Sequence, residues 1–224
     1  MKRTGGLIGT IVLAGMLLFG AVSAPAGAAP DPESAAFGPH SSPLGVSYRQ
    51  WAVRWSRWAF STPTPQNALA DPANCDLGQA GPAFFLPAGS GGAHTATCNV
   101  PAGQPIVVVP AGVVSTANTG GGDTAAELRA DARSVADTVR RPTIVIDGQA
   151  GPDPARFRRQ AVFTLTMPED NLFGVAAGPT LAAVDVDLVV LQPLPVGQHE
   201  ITLNARFVGD TTDYRLTLTV NVVS

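Results

Sequence analysis

Glu200-Ile201-Thr202-Leu203-Asn204-Ala205-Arg206-Phe207-Val208 and Asp213-Tyr214-Arg215-Leu216-Thr217-Leu218-Thr219-Val220-Asn221-Val222-Val223 alternate apolar and polar residues almost without a break. Ile201, Leu203, Ala205 and Phe207 share one face of the first segment, and Tyr214, Leu216, Leu218, Val220 and Val222 share one face of the second. Successive side chains on an extended strand point to opposite sides, so a period of two puts one face on a core and the other in water. Gly209-Asp210-Thr211-Thr212 between them has the composition of a hairpin turn. The two segments therefore predict a pair of antiparallel strands.

The same pattern extends upstream. Arg159 to Met167 places Ala161, Phe163 and Leu165 on one side and Val162, Thr164 and Thr166 on the other. Val184 to Leu191 opens with Asp185 and Asp187 alternating with valines, and Thr143 to Asp147 runs into the turn Asp147-Gly148. Shorter candidates are Ala83 to Leu86, Thr95 to Val100 and Ile106 to Val109, the last a continuous apolar run suited to a strand buried on both faces. Strict alternation favours antiparallel sheets packed on one face. The expected architecture is mainly β: an antiparallel β-sandwich or jelly-roll-like single domain over residues 47–224, with two added helices at about 48–60 and 125–140.

Each helix carries its own start signal. Ser47 with Gln50, and Thr124 with Glu127, are capping boxes, in which each side chain satisfies the other residue's exposed backbone amide. Tyr48, Trp51, Trp55 and Trp58 recur at helical spacing on one face, and all three tryptophans of the chain lie there. Leu128, Ala132, Val135 and Val139 form the expected stripe of the second helix, which Pro142 would end. Gly120-Gly121-Gly122 before it lacks the pattern of a phosphate-binding loop and reads as a flexible lead into the helix.

The chain opens with Met1-Lys2-Arg3, an apolar stretch from Leu7 to Val22, and Ala26-Gly27-Ala28. A basic start, an apolar centre and a small-x-small site predict a secretory signal peptide over residues 1–28, cut before Ala29. The apolar run is short for a membrane span, and no later segment is apolar enough to make one. Residues 29–46, rich in Ala, Pro, Ser and Gly, read as a flexible lead-in. Export would place the protein outside the cell, where Cys75 and Cys98 are expected to form a disulfide.

Fourteen Lys and Arg against 17 Asp and Glu give a net charge of −3, and cleavage would remove Lys2 and Arg3 but no carboxylate. An acidic chain is a poor candidate for binding nucleic acid.

Several segments taken in order resemble an uncharacterised family of secreted bacterial proteins. They are the Trp-rich helix Tyr48 to Phe60, Asp71-Pro72 leading to Cys75, Gly78-Gln79-Ala80-Gly81-Pro82 before Phe84-Phe85-Leu86, and Cys98-Asn99-Val100-Pro101-Ala102-Gly103. Glu127-Leu128-Arg129, Asp147-Gly148, Met167-Pro168-Glu169-Asp170-Asn171 and Leu194-Pro195-Val196-Gly197-Gln198-His199 complete the series. The resemblance implies export, one domain, the Cys pair and a β-rich C-terminal half. It implies no activity and transfers no catalytic residue. The chain departs from it at Val184–Leu191, where more Gly and Tyr would be expected.

Candidate chemistry is sparse. The histidines are His40, in the lead-in, His94 and His199; there is no G-x-S-x-G elbow and no H-E-x-x-H. No cofactor is expected. Asp185 and Asp187, two apart on a strand, are either a solvated face or half of a calcium site. The Trp51–Trp55–Trp58 face either packs on the sheet or forms an aromatic platform for sugars or a protein. Two functional readings follow. The first is a secreted non-enzymatic or envelope-associated β-sandwich that binds a ligand or cell-surface component, with Trp51, Trp55, Trp58, His94 and His199 as candidate contacts. The alternative is an exported hydrolase of an extracellular or cell-wall polymer, using His94 or His199.

Overall fold

The computed structural model describes residues 32–89, 91–209 and 213–224. The expected signal peptide and its cut lie outside the described residues. Among the described residues two α-helices, α1 (Tyr48–Phe60) and α2 (Ala125–Ala136), accompany nine strands: β1 (Phe84–Phe85), β2 (Ala93–Pro101), β3 (Ile106–Thr116), β4 (Val139–Ile146), β5 (Gln149–Ala150), β6 (Arg158–Met167), β7 (Gly178–Leu191), β8 (Gly197–Phe207) and β9 (Tyr214–Val223). They form a four-stranded sheet ordered β1-β3-β7-β6 and a five-stranded sheet ordered β2-β9-β8-β4-β5. The arrangement is sandwich-like, as expected, with β8 and β9 antiparallel.

The sheets are mixed rather than purely antiparallel, because β1 pairs with β3 and β2 with β9 in parallel. Alternation reports which side chains face inward and is blind to strand direction. The β2–β9 pairing brings an early strand alongside the last one, a contact that only the folded topology reveals.

The four-stranded sheet is covered by a helix on each face. On one, Tyr48 of α1 meets Phe157 at 5.4 Å and the Arg57 guanidinium lies over Phe163. On the other, Leu128 and Ala132 of α2 pack with Ala183, Val113, Val162 and Leu181. Phe163 and Val162 are neighbours on β6, so they point to opposite faces. The five-stranded sheet buries Ile201, Leu203, Leu216, Leu218 and Val220 on its inner side, while Thr95, Thr97 and Asn99 on its other side are exposed.

Both capping boxes form. The second helix nevertheless stops at Ala136 rather than near 140. Thr138 turns its hydroxyl onto the Val135 carbonyl, and Val139 already belongs to β4, paired with Phe207. Its buried stripe is Leu128, Ala132 and Ala136, whereas Val135 is exposed. Pro142 falls in an irregularity of the β4–β8 ladder between Arg140 and Thr143, a place that tolerates a residue without an N–H.

The expected flexible lead-in is part of the domain over its described residues. Ala36 bridges to Leu191, Phe37 N–H donates to the Val190 carbonyl, and Gln192 N–H donates to that of Ala35. Pro43 and Val46 are buried. Its Ala- and Pro-rich composition suits a linker, but edge pairing needs only backbone groups.

Candidate functional site

The tryptophan face is closed. Trp51 is fully buried and Trp55 nearly so, with Trp58 half-buried. Each indole N–H donates to a carbonyl of a different loop: Trp51 to Pro43 at 3.2 Å, Trp55 to Leu86 at 2.9 Å, Trp58 to Leu77 at 3.1 Å. These residues tie three loops to α1 and present no open platform. The cysteines form the expected Cys75–Cys98 disulfide.

The histidines do not meet. His94 pairs with Leu216 on β9, and Leu216 in turn with Leu203 on β8, while His199 lies four residues from Leu203. At about 3.3 Å per residue and 4.8 Å per strand, that separates them by roughly 16 Å. His94 Nε2 contacts the Gly91 carbonyl at 2.6 Å. His199 Nδ1 lies 2.7 Å from the Asp147 carboxylate and Nε2 3.0 Å from the Pro195 carbonyl. Both nitrogens thus face acceptors, which suits the imidazolium form. Burial pulls the His199 pKa down, but the Asp147 carboxylate and the Pro195 carbonyl outweigh it and hold it above its ordinary value. The stability it contributes is therefore complete below the unfolded value near 6.5 and is lost as pH rises through the higher folded value. Asp147 also accepts from the Glu200 amide at 2.8 Å, with its own backbone in the left-handed region (φ +50°) ahead of Gly148 (φ +76°). The pair clamps this tight turn to β8 and has no ring nitrogen free to act as a base.

Asp185 and Asp187 are not on a solvated face: they are 3% and 7% exposed. On the neighbouring strand β6, Arg158 pairs with Asp187 and Gln160 with Asp185. Asp185 is held in a two-point pair by Arg158, at 2.7 and 2.9 Å, and Arg158 reaches on to Asp137 at 2.7 Å. Asp187 Oδ1 has no hydrogen-bond partner among the described residues. Burial pushes Asp187 up to about 6 against the pull of Arg158, with Asp185 and Asp153 adding to the rise. Among the described residues these carboxylates do not converge as metal ligands, and Arg158 already neutralises Asp185. A raised carboxyl penalises the fold only when charged. Asp187→Asn is therefore expected to stabilise the domain by on the order of 2 kcal/mol at pH 8 and hardly at all at pH 4. Melting temperatures at the two pH values check this; a loss at pH 8 would contradict it.

A cluster absent from the sequence reading lies at one end of the outer face of the five-stranded sheet. The β4–β8 register sets Arg140 opposite Arg206, and the β8–β9 register sets Asn204 opposite Arg215. Residues 204 and 206 share a face, so the three arginines do too. Arg141, in the left-handed region (φ +50°) within the β4 irregularity, joins them. Together they line an open groove of about 770 Å³ in which Asp213 is the one carboxylate among the described lining residues. Asp213 sits 3.4 Å from Arg206, and Arg140 donates to the carbonyls of Asp137 and Val139 at the end of α2. All four arginines are exposed. Guanidinium groups present planar forks of donors matched to carboxylate, phosphate or sulfate.

No family model and no curated protein matches this chain. Among solved structures it is similar to the solution structure of Amebosin, at 14% identity and a TM-score of 0.19, over 60% of this chain and 100% of that one. It is also similar to the cysteine protease inhibitor EhICP2 from Entamoeba histolytica, at 13% identity and a TM-score of 0.23, over 59% and 95% of the two chains. Likenesses this weak carry no argument. No helix among the described residues is long and apolar enough to cross a membrane.

Proposed function

We propose that this chain is an exported, non-enzymatic binding domain that takes an anionic ligand in the arginine-lined groove. The observation that carries the reading is the convergence of Arg140, Arg141, Arg206 and Arg215 on one open groove of a chain whose net charge is −3. Asp213 and the carbonyls at the end of α2 offset part of this gathering of like charge, whose repulsion opposes folding. A ligand of opposite sign compensates the rest. The disulfide fits an oxidising destination. The hydrolase alternative finds less support: His94 and His199 are engaged with carbonyl and carboxylate oxygens, and both cysteines are consumed.

The test is titration of a fluorescent sulfated disaccharide at low salt. Arg206→Glu/Arg215→Glu is expected to weaken binding at least tenfold, while Arg49→Glu/Arg129→Glu, with the same charge change on the helices, leaves it within twofold. Equal effects of the two variants, or none from the first, would overturn the reading.

A further inference from the structure

We infer that the ligand is a linear anionic polysaccharide, laid along the outer face of the β2–β9 ladder and held by its charges at the arginine end; this rests on the groove reading above. The parallel register pairs like with like: Thr95 with Thr217, Thr97 with Thr219 and Asn99 with Asn221. Position 93, opposite Arg215, starts this outward row at the groove. The result is a double column of hydroxyls and amides running from Arg215 to Asn221, about 20 Å at 3.3 Å per residue, with the columns about 4.8 Å apart.

Threonine hydroxyls both donate and accept, as sugar hydroxyls do; the Thr217 hydroxyl meets that of Thr202 at 3.1 Å, Asn221 donates to Asn99 and accepts from Gln198, so Thr95, Thr97 and Thr219 are the hydroxyls the track offers a sugar. Thr95, Thr97 and Asn99 are exposed and their β9 partners half-buried, so the track is open to solvent. Its far end is closed by Asp76, whose carboxylate accepts from the Asn99 amide and side chain at 2.8 and 2.7 Å. Glu200, opposite Thr219 on β8, is a second carboxylate beside the track. Charge recognition is thus confined to the groove, and neutral polar contacts follow from it. No aromatic side chain lies in the double column, which disfavours nucleic acid because bases are gripped by stacking.

The experiment compares dextran sulfate, alginate, neutral dextran, the sulfated disaccharide and single-stranded DNA on residues 29–224, with melting curves to confirm that each variant folds. Both anionic polymers are expected to bind at least tenfold tighter than the disaccharide, and neutral dextran not measurably. Thr97→Val/Thr219→Val keeps strand-forming shape but deletes two facing hydroxyls. It is expected to weaken polymer binding three- to tenfold and leave the disaccharide unchanged, whereas Arg206→Glu/Arg215→Glu weakens both. If the arginine variant fails as expected but the threonine variant binds polymer like the wild type, the track is wrong and the groove stands. If the arginine variant binds normally, the groove reading itself falls. DNA binding as tight as dextran sulfate would overturn the polysaccharide assignment.

Discussion

Trp51→Ala is expected to destabilise the domain by about 4 kcal/mol, the usual cost of emptying a buried aromatic site. Trp51 is completely buried, packs edge-on against Phe85 at 6.2 Å, and lies under the Arg54 guanidinium at 5.0 Å. Its indole N–H also holds the Pro43 carbonyl, so truncation removes the clasp between α1 and the segment before it. A domain of this size has about 5–15 kcal/mol in total, so the variant should remain folded but fragile. Urea unfolding checks this: the midpoint should fall with little change in slope. Trp58→Ala, at a half-buried position, should cost clearly less. Equal losses at the two positions would contradict the anchoring role assigned to Trp51.

Removing the disulfide, as Cys75→Ala/Cys98→Ala, is expected to cost about 3 kcal/mol. The crosslink closes a separation of 23 residues, and chain-entropy arithmetic for a loop that size gives roughly that figure. It ties the turn Pro72–Asp76 to β2, which lies at the edge of its sheet and has β9 as its one strand neighbour. Both cysteines are fully buried, so the alanines also leave small voids. For a chain of this length the loss corresponds to a melting-temperature drop of about 10 °C. Thermal melts of the wild type with and without reductant, and of the double variant, provide the check. A double variant that melts with the wild type would show that the turn holds β2 unaided. The double column of threonines and asparagines should loosen with it, because half of that column is β2.

Much of the fold was legible because local rules and tertiary demands agree. The alternation at Arg159–Met167, Glu200–Val208 and Asp213–Val223 coincides closely with β6, β8 and β9. Ser47 and Thr124 marked the helix starts because capping is chemistry within four residues. The end of α2 was not legible: Val139 fits the helical stripe by spacing, yet it has a stronger partner in Phe207 on β8. Asp185 and Asp187 misled because a buried carboxylate is tolerated only with a partner such as Arg158, which lies 27 residues away from Asp185. The groove was hidden for the same reason. Arg140 and Arg141 are on β4 and Arg206 and Arg215 on β8 and β9, so nothing in their spacing joins them until the register is known. Net charge does not show the groove either, since it averages a local cluster of arginines into an acidic chain. Helical spacing puts the tryptophans on one face without saying what that face meets, and their burial shows packing.

The central claim is that this domain binds anions through the arginines of β4, β8 and β9. The most direct test follows the backbone amide resonances of residues 29–224 as the sulfated disaccharide is added. The account predicts shifts confined to the surroundings of Arg140, Arg141, Asn204 to Gly209 and Arg215, fading as salt screens the charges. Shifts centred instead on α1, or around His199 and Asp147, would contradict it.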